Sequence, residues 1–356
     1  MVPPPLLQPP LPLLVTGIAG VTGYNAFHFF HDRYPGQVVG VRQANNWPLT
    51  GPGIEACNAE DGKSLAALFR RFQFASVLNC AGSCKLKSCE LDPPMAWRVN
   101  VEGASKLFEQ IGIYQSRLIH LSIDLVYSGR GEGCYTESDP VDPITVYGRT
   151  MVIAESMVAR EVPSACILRI SLPMGISFNG HAGAIDWIQS RFAKNKMATL
   201  YYDEIRTPTY VDCLNEVFER VLASDITGLF HAGGPRRLSL FEIAQVVNRV
   251  GGYDPRYLMG CDREEAGPMP PRAGNVSLDS SLLAAALTCQ PLGSWPLDDH
   301  FVPTHRRWHE ERPSGEKGSP ELLARLLYRR PAPSIVVAAD FPSRPETDEI
   351  DRTEGR

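Results

Sequence analysis

Nine residues, Val15-Thr16-Gly17-Ile18-Ala19-Gly20-Val21-Thr22-Gly23, constrain this chain more than any other stretch. They follow the apolar run Leu13 to Thr16 and open a segment, Val21 to Arg33, whose apolar residues recur at helical spacing. Three glycines spaced Gly-x-x-Gly-x-x-Gly therefore sit at a strand-to-helix turn. Glycine permits the tight turn and a close backbone approach, while the free amides and positive end of the helix receive a pyrophosphate. Thr16, Gly17, Ile18, Ala19, Gly20, Val21 and Gly23 are the nucleotide-binding candidates this spacing singles out.

The same alternation continues. Val38 to Val41, Ser76 to Asn79, Leu118 to Leu121 and Cys166 to Ile170 read as strands, and Gly62 to Phe72, Pro94 to Gln110 and Pro143 to Arg160 as the helices between them. This rhythm predicts an α/β fold, a doubly wound parallel sheet of Rossmann type, over residues 11–170. A proline-rich segment, 1–10, precedes it. Residues 171–300 break the rhythm and are expected to form a smaller carboxyl-side substrate-binding region that partly returns to the core. From 301 to 356, proline, charge and small residues point to a flexible tail with one helix at Pro320 to Arg329 and an acidic ending from Pro345.

A formal net charge of -5 offers no general attraction to nucleic acid or anionic membranes, so an anionic ligand must be held by a local site. Nine scattered cysteines show no Cys-x-x-Cys pair, which argues for reduced thiols and no metal site. With no signal peptide or membrane span in the pattern, a cytoplasmic protein is expected.

The second strand ends Gly40-Val41-Arg42-Gln43. A fold of this type that prefers NAD has an acidic residue there for the ribose hydroxyls, whereas arginine favours a 2′-phosphate. Arg42 thus points to NADP(H) over NAD(H), with a solvated surface arginine as the alternative.

Several further blocks carry a family resemblance: Asn79-Cys80-Ala81-Gly82, Asn100-Val101-Glu102-Gly103, Leu121-Ser122-Ile123-Asp124-Leu125-Val126-Tyr127, Tyr135 to Pro140, Asp203-Glu204-Ile205-Arg206-Thr207-Pro208-Thr209, and Pro271-Arg272 with Leu278-Asp279. Together they resemble the extended short-chain dehydrogenase/reductases, in the dTDP-4-dehydrorhamnose reductase branch, across about residues 11 to 300. The resemblance implies an NADPH-linked reduction of a nucleotide-activated 4-keto-6-deoxysugar, a small-molecule partner with which a homodimer is compatible. It adds Asn58, Cys80, Ala81, Gly82, Asn100 and Leu121 to the cofactor side, and Asp124, Arg206 and Arg272 to the substrate side.

The family mechanism uses a tyrosine as general acid and a lysine four residues later that lowers the tyrosine pKa and bonds the nicotinamide ribose. Here Tyr147-Gly148-Arg149-Thr150-Met151 supplies the tyrosine but places methionine at the lysine position, and a thioether carries no charge and donates no hydrogen bond. Arg149 lies roughly 200° around the helix and cannot substitute. The family's serine or threonine is replaced by Ile123. Ser122 stands one residue early; a regular strand turns it away, and a bend at the strand end would bring it back.

Two readings follow. The first is an NADP-dependent oxidoreductase with Tyr147 as general acid and Ser122 or a water in place of the missing hydroxyl. The second is a non-catalytic module that binds NADP(H) or a sugar nucleotide.

Overall fold

The structure, a computed structural model, describes residues 8–180, 182–267, 270–312, 315 and 317–330. Seven strands form the central sheet: β1 (Leu13–Val15), β2 (Val38–Arg42), β3 (Ile54–Ala56), β4 (Ser76–Asn79), β5 (Arg117–Ile123), β6 (Cys166–Ile170) and β7 (Gly228–Ala232). Their order across the sheet is β7-β6-β5-β4-β1-β2-β3, and every neighbouring pair is parallel. A parallel sheet needs a crossover between strands and is covered on both faces, which is why β1, β4 and β6 are buried along their whole length, with apolar residues at most positions.

The crossovers are α1 (Val21–Arg33), α2 (Gly62–Phe72), α3 (Gly103–Tyr114) and α4 (Val146–Glu161). The alternation of β1 sends Leu13 to one core with Phe27, Phe30 and Phe218, and Leu14 to the other with Phe69, Phe108 and Val158. Strand order reverses between β1 and β4, so a crevice opens at their carboxyl ends. That crevice positions the site.

Two local features differ from the sequence expectation. The edge strand β3 is three residues long and partly exposed, so it lacks the apolar run that would have announced it. The helix expected over Pro94 to Gln110 is a short helix at Pro93–Trp97, a π-helical turn at Arg98–Glu102 and then α3. The π turn places Asn100 inward, a use of such turns that recurs at functional sites.

The carboxyl-side lobe is built on α5 (Ala184–Ala193) and α7 (Leu240–Val250), with the strands Ala198–Tyr201 and Leu258–Cys261 paired in parallel. Between them in sequence, α6 (Val211–Leu222) and β7 return to the central sheet. The described residues between 301 and 330 depart from the expected flexible tail. Rather than a loose tail, they carry Trp308, Leu323, Leu327 and Tyr328, all buried in the lobe's core beside α7. Tyr328 also donates to the Asn25 side chain on α1 at 3.0 Å, tying this segment back to the helix behind the glycine loop. The acidic ending from Pro345 lies outside the described residues.

No helix among the described residues is long and apolar enough to cross a membrane, and no cluster of three His, Cys, Asp or Glu side chains among them is placed to hold a metal ion.

Candidate active site

The glycine loop has a distinct reason for each glycine. Gly17 sits at φ +67°, and a Cβ there would lie 2.4 Å from the Cys80 carbonyl oxygen. At Gly23 a Cβ would lie 2.4 Å from the carbonyl of Gly17, so the helix can start this close to its own loop only without a side chain. Gly20, by contrast, faces open space apart from one ordinary contact at 3.5 Å. It is also the N-cap of α1, with no side chain capping the helix and no acidic residue in its first turn. The leading amides of α1 therefore point into the crevice beside the positive end of a 13-residue helix, the arrangement that receives a diphosphate. These residues fit a dinucleotide.

The opposite rim is fastened through Thr16. Its hydroxyl donates to Asn79 Oδ1 at 2.6 Å and accepts from the amides of Cys80 and Ala81, each at 3.1 Å. Asn79 in turn donates from Nδ2 to His120 Nδ1 at 2.9 Å, behind the rim. Burial pushes the His120 imidazole down to about 4. With its folded pKa below the unfolded 6.5, His120 stabilises the fold above about pH 6.5, and this contribution is lost as pH falls towards 4. The expected loss is about 3 kcal/mol. Denaturant titrations at several pH values should show that slope in the parent and a flatter one in His120→Phe; equal slopes would remove His120 from the pH response.

Asn100 accepts from the Ser83 amide at 2.7 Å and donates to Thr150 Oγ1 at 2.9 Å, joining the Gly82–Ser83 rim to α4. Leu121 is packed in the sheet core. Arg42 stands at the end of β2 with Nη1 on the carbonyls of Gln43 and Ala44, and Asn58 accepts from the Ala44 amide at 3.0 Å. Arg42 Nε is buried with no hydrogen-bond partner among the described residues.

On α4, Tyr147, Met151 and Glu155 follow one another at intervals of four on one face, all buried. The Tyr147 hydroxyl makes no hydrogen bond to the described residues. Burial holds its pKa well above the ordinary tyrosine value, the charges of Cys84 and Asp124 add to that, and the Arg206 guanidinium opposes them. Met151 packs in the apolar cluster with Tyr147, Leu125 and Val126, and Ile123 packs against the same cluster. Arg149 faces solvent, its guanidinium on the Ile144 carbonyl. Lys85 and Lys87 are also exposed.

Ser122 is where the sequence left a choice, and the strand stays regular through Ile123. Its hydroxyl donates to the Glu155 carboxylate. Glu155 is simultaneously held by Arg169, with Nε to Oε1 at 2.8 Å and Nη2 to Oε2 at 2.7 Å. Arg169 Nη1 then reaches the Tyr127 oxygen at 2.6 Å, and Tyr127 contacts His231 Nε2 at 3.1 Å. Sequence reasoning missed Glu155 and Arg169. The available signal was an arginine inside the apolar strand Cys166 to Ile170, since a buried charge of this kind needs a partner.

The substrate-side candidates are engaged with each other. Asp124 accepts from Arg206 Nε at 2.7 Å and Nη2 at 2.6 Å, and from the Ser171 hydroxyl at 2.6 Å. Arg206 Nη1 lies 3.4 Å from Glu204 Oε1, and Arg272 Nη1 lies 3.8 Å from Glu204 Oε2. A cleft of about 540 Å³ in the carboxyl-side lobe, lined by Tyr202, Arg237, Phe241 and Arg306 among others, includes neither Tyr147 nor any glycine-loop residue. Chemistry rather than volume therefore locates the site.

The chain is similar to known proteins over most of its length. The zebrafish (Danio rerio) methionine adenosyltransferase 2 subunit beta is 23% identical over 315 residues, spanning 84% of this chain and 93% of that protein. A probable low-salt glycan biosynthesis reductase of Haloferax volcanii is 24% identical over 277 residues, spanning 77% and 92%. The crystal structure of dTDP-4-dehydrorhamnose reductase from Bacillus anthracis in complex with NADP superposes with a TM-score of 0.66 at 18% identity, covering 80% of this chain and 95% of that one. The family model described as the RmlD substrate binding domain matches residues 12–296. The chain belongs to that family, the RmlD-like branch of the extended short-chain dehydrogenase/reductases.

Proposed function

We propose that this protein binds a nicotinamide dinucleotide, NADP(H) in preference to NAD(H), and that binding rather than turnover is its main work. The observation that carries this reading is the joint disposition of the proton-transfer positions: Met151 stands in the lysine place, Ile123 in the hydroxyl place, and the neighbouring Ser122 hydroxyl is committed to Glu155. The glycine loop, the Thr16–Asn79 rim and Asn100 supply a complete cradle beside it. A bound dinucleotide would bring hydride-transfer capacity. The residues around it hold its diphosphate at Gly17 to Gly23, while the lysine place at Met151 carries no cation and the serine or threonine place at Ile123 carries no hydroxyl. The similarity to a protein named as a subunit supports a role within an assembly.

A slow reductase acting on a nucleotide-linked 4-keto-6-deoxysugar is the second reading, favoured by the buried Tyr147 hydroxyl, which makes no hydrogen bond to the described residues and can donate its proton as a neutral phenol. The similarity to a probable reductase supports it.

Titration with NADPH and NADH tests the cofactor reading. NADPH is expected to bind at least tenfold more tightly, and Arg42→Ala should remove most of that margin while leaving NADH affinity unchanged. Equal affinities in the parent would place Arg42 among solvated surface arginines, and absence of binding by either dinucleotide would overturn the proposed function.

A further inference from the structure

A file of alternating charges runs from beneath Tyr147 towards the surface of the carboxyl-side lobe: Asp124, Arg206, Glu204, Arg272. Its inner pair is satisfied, with two hydrogen bonds between guanidinium and carboxylate. The outer part is not. Glu204 is 1% exposed; its Oε1 accepts one long hydrogen bond from Arg206 Nη1 at 3.4 Å, while its Oε2 has no hydrogen-bond partner among the described residues and stands 3.8 Å from Arg272 Nη1. Arg272 is partly exposed, with its guanidinium 4.9 Å over the Tyr201 ring. Asp203 next to Glu204 pairs instead with Arg263, Nε to Oδ2 at 2.8 Å.

Two arginines flanking a gap, one reaching solvent beside an aromatic ring, make a site of the kind that holds a phosphate group. Here a buried carboxylate of the same chain fills the gap. We propose that Glu204 is a specificity-determining residue, a built-in anion that occupies the Arg206–Arg272 site and excludes the diphosphate of a nucleotide-linked ligand from it. The exclusion works by like charge: a diphosphate approaching Arg272 meets a carboxylate in a poorly solvated setting, where repulsion is much less screened than in water. Arg206 cannot compensate, because Asp124 already takes its fork.

This inference rests on the cleft being a nucleotide-binding cleft, and not on which dinucleotide fills the glycine loop. Its test is direct calorimetric binding of dTDP and of inorganic pyrophosphate, with NADPH binding measured on the same samples. Glu204→Gln keeps the size and removes the charge, and should bind dTDP at least tenfold more tightly than the parent with NADPH affinity within twofold. Glu204→Gln/Arg272→Gln should lose that gain. Arg272→Gln alone should leave the weak dTDP binding of the parent unchanged, because its charge is already neutralised; this variant remains informative if Glu204→Gln fails to fold. The proposal is overturned by equal dTDP affinity in parent and folded Glu204→Gln, by a gain that survives removal of Arg272, or by loss of dTDP binding in Arg272→Gln alone. Loss of NADPH binding in the parent would instead count against the proposed function.

Discussion

Ile123→Ser combined with Met151→Lys should raise the rate of NADPH oxidation with a nucleotide 4-keto-6-deoxysugar by about 10²- to 10⁴-fold over the parent, the span that positioned acid–base groups typically contribute. A lysine at 151 stands one helical turn from Tyr147, so its ammonium would act on a phenol that burial now holds high. Each unit by which the pKa falls is worth about 1.4 kcal/mol between the two protonation states. A serine at 123 projects from the opposite face of β5 to Ser122, into the cluster that contains Tyr147, and so is not captured by Glu155. Met151→Lys alone should give a smaller gain, because the hydroxyl partner is still missing. The readout is kcat at high substrate concentration, since Glu204 weighs on binding and not on the transfer step. Parent-level kcat in a folded double variant that binds NADPH normally would show that substrate does not reach Tyr147.

Arg169→Ala should cost about 3–5 kcal/mol of stability, because it leaves the Glu155 carboxylate buried without its counter-charge. Both side chains are nearly inaccessible, and Arg169 also supports Tyr127 and sits over its ring. The unfolding midpoint in urea reads this out, and Glu155→Leu/Arg169→Met should recover most of the loss, since replacing both partners removes the unpaired charge. A loss below about 1 kcal/mol in Arg169→Ala would mean that water reaches Glu155 and that the carboxylate is not tied to Arg169 and Ser122 as strongly as the geometry implies.

The glycine loop was legible because its meaning is local: Gly17 and Gly23 answer to clashes within a few residues of chain and one neighbouring strand. The helices α1 and α2 and the strands β4 and β6 were equally local, set by apolar periodicity. By contrast, Asp124 and Arg206 meet across 82 positions of sequence, and no pattern in either segment says that each is the other's partner. The sequence placed both on the substrate side, and the structure shows their charged groups turned on one another.

The same limit applied to Ser122, whose direction depended on whether β5 stays regular to Ile123, a matter settled by pairing with β6. Composition misled at 301–330, where prolines and charges surround Trp308, Leu323, Leu327 and Tyr328, and tertiary contact with α7 and α1 outweighs the local signal. Met151 was legible as a departure, and its consequence depends on the burial of Tyr147 beside an Arg206 whose guanidinium is committed to Asp124.

The most direct measurement is consumption of saturating NADPH by the parent and by Tyr147→Phe, over a panel of nucleotide 4-keto-6-deoxysugars, after NADPH binding has been shown in both. The expected result is tight binding with consumption that is the same in the two proteins and no faster than without sugar. Sugar-dependent consumption in the parent that Tyr147→Phe abolishes would contradict it and establish a working, tyrosine-centred reductase.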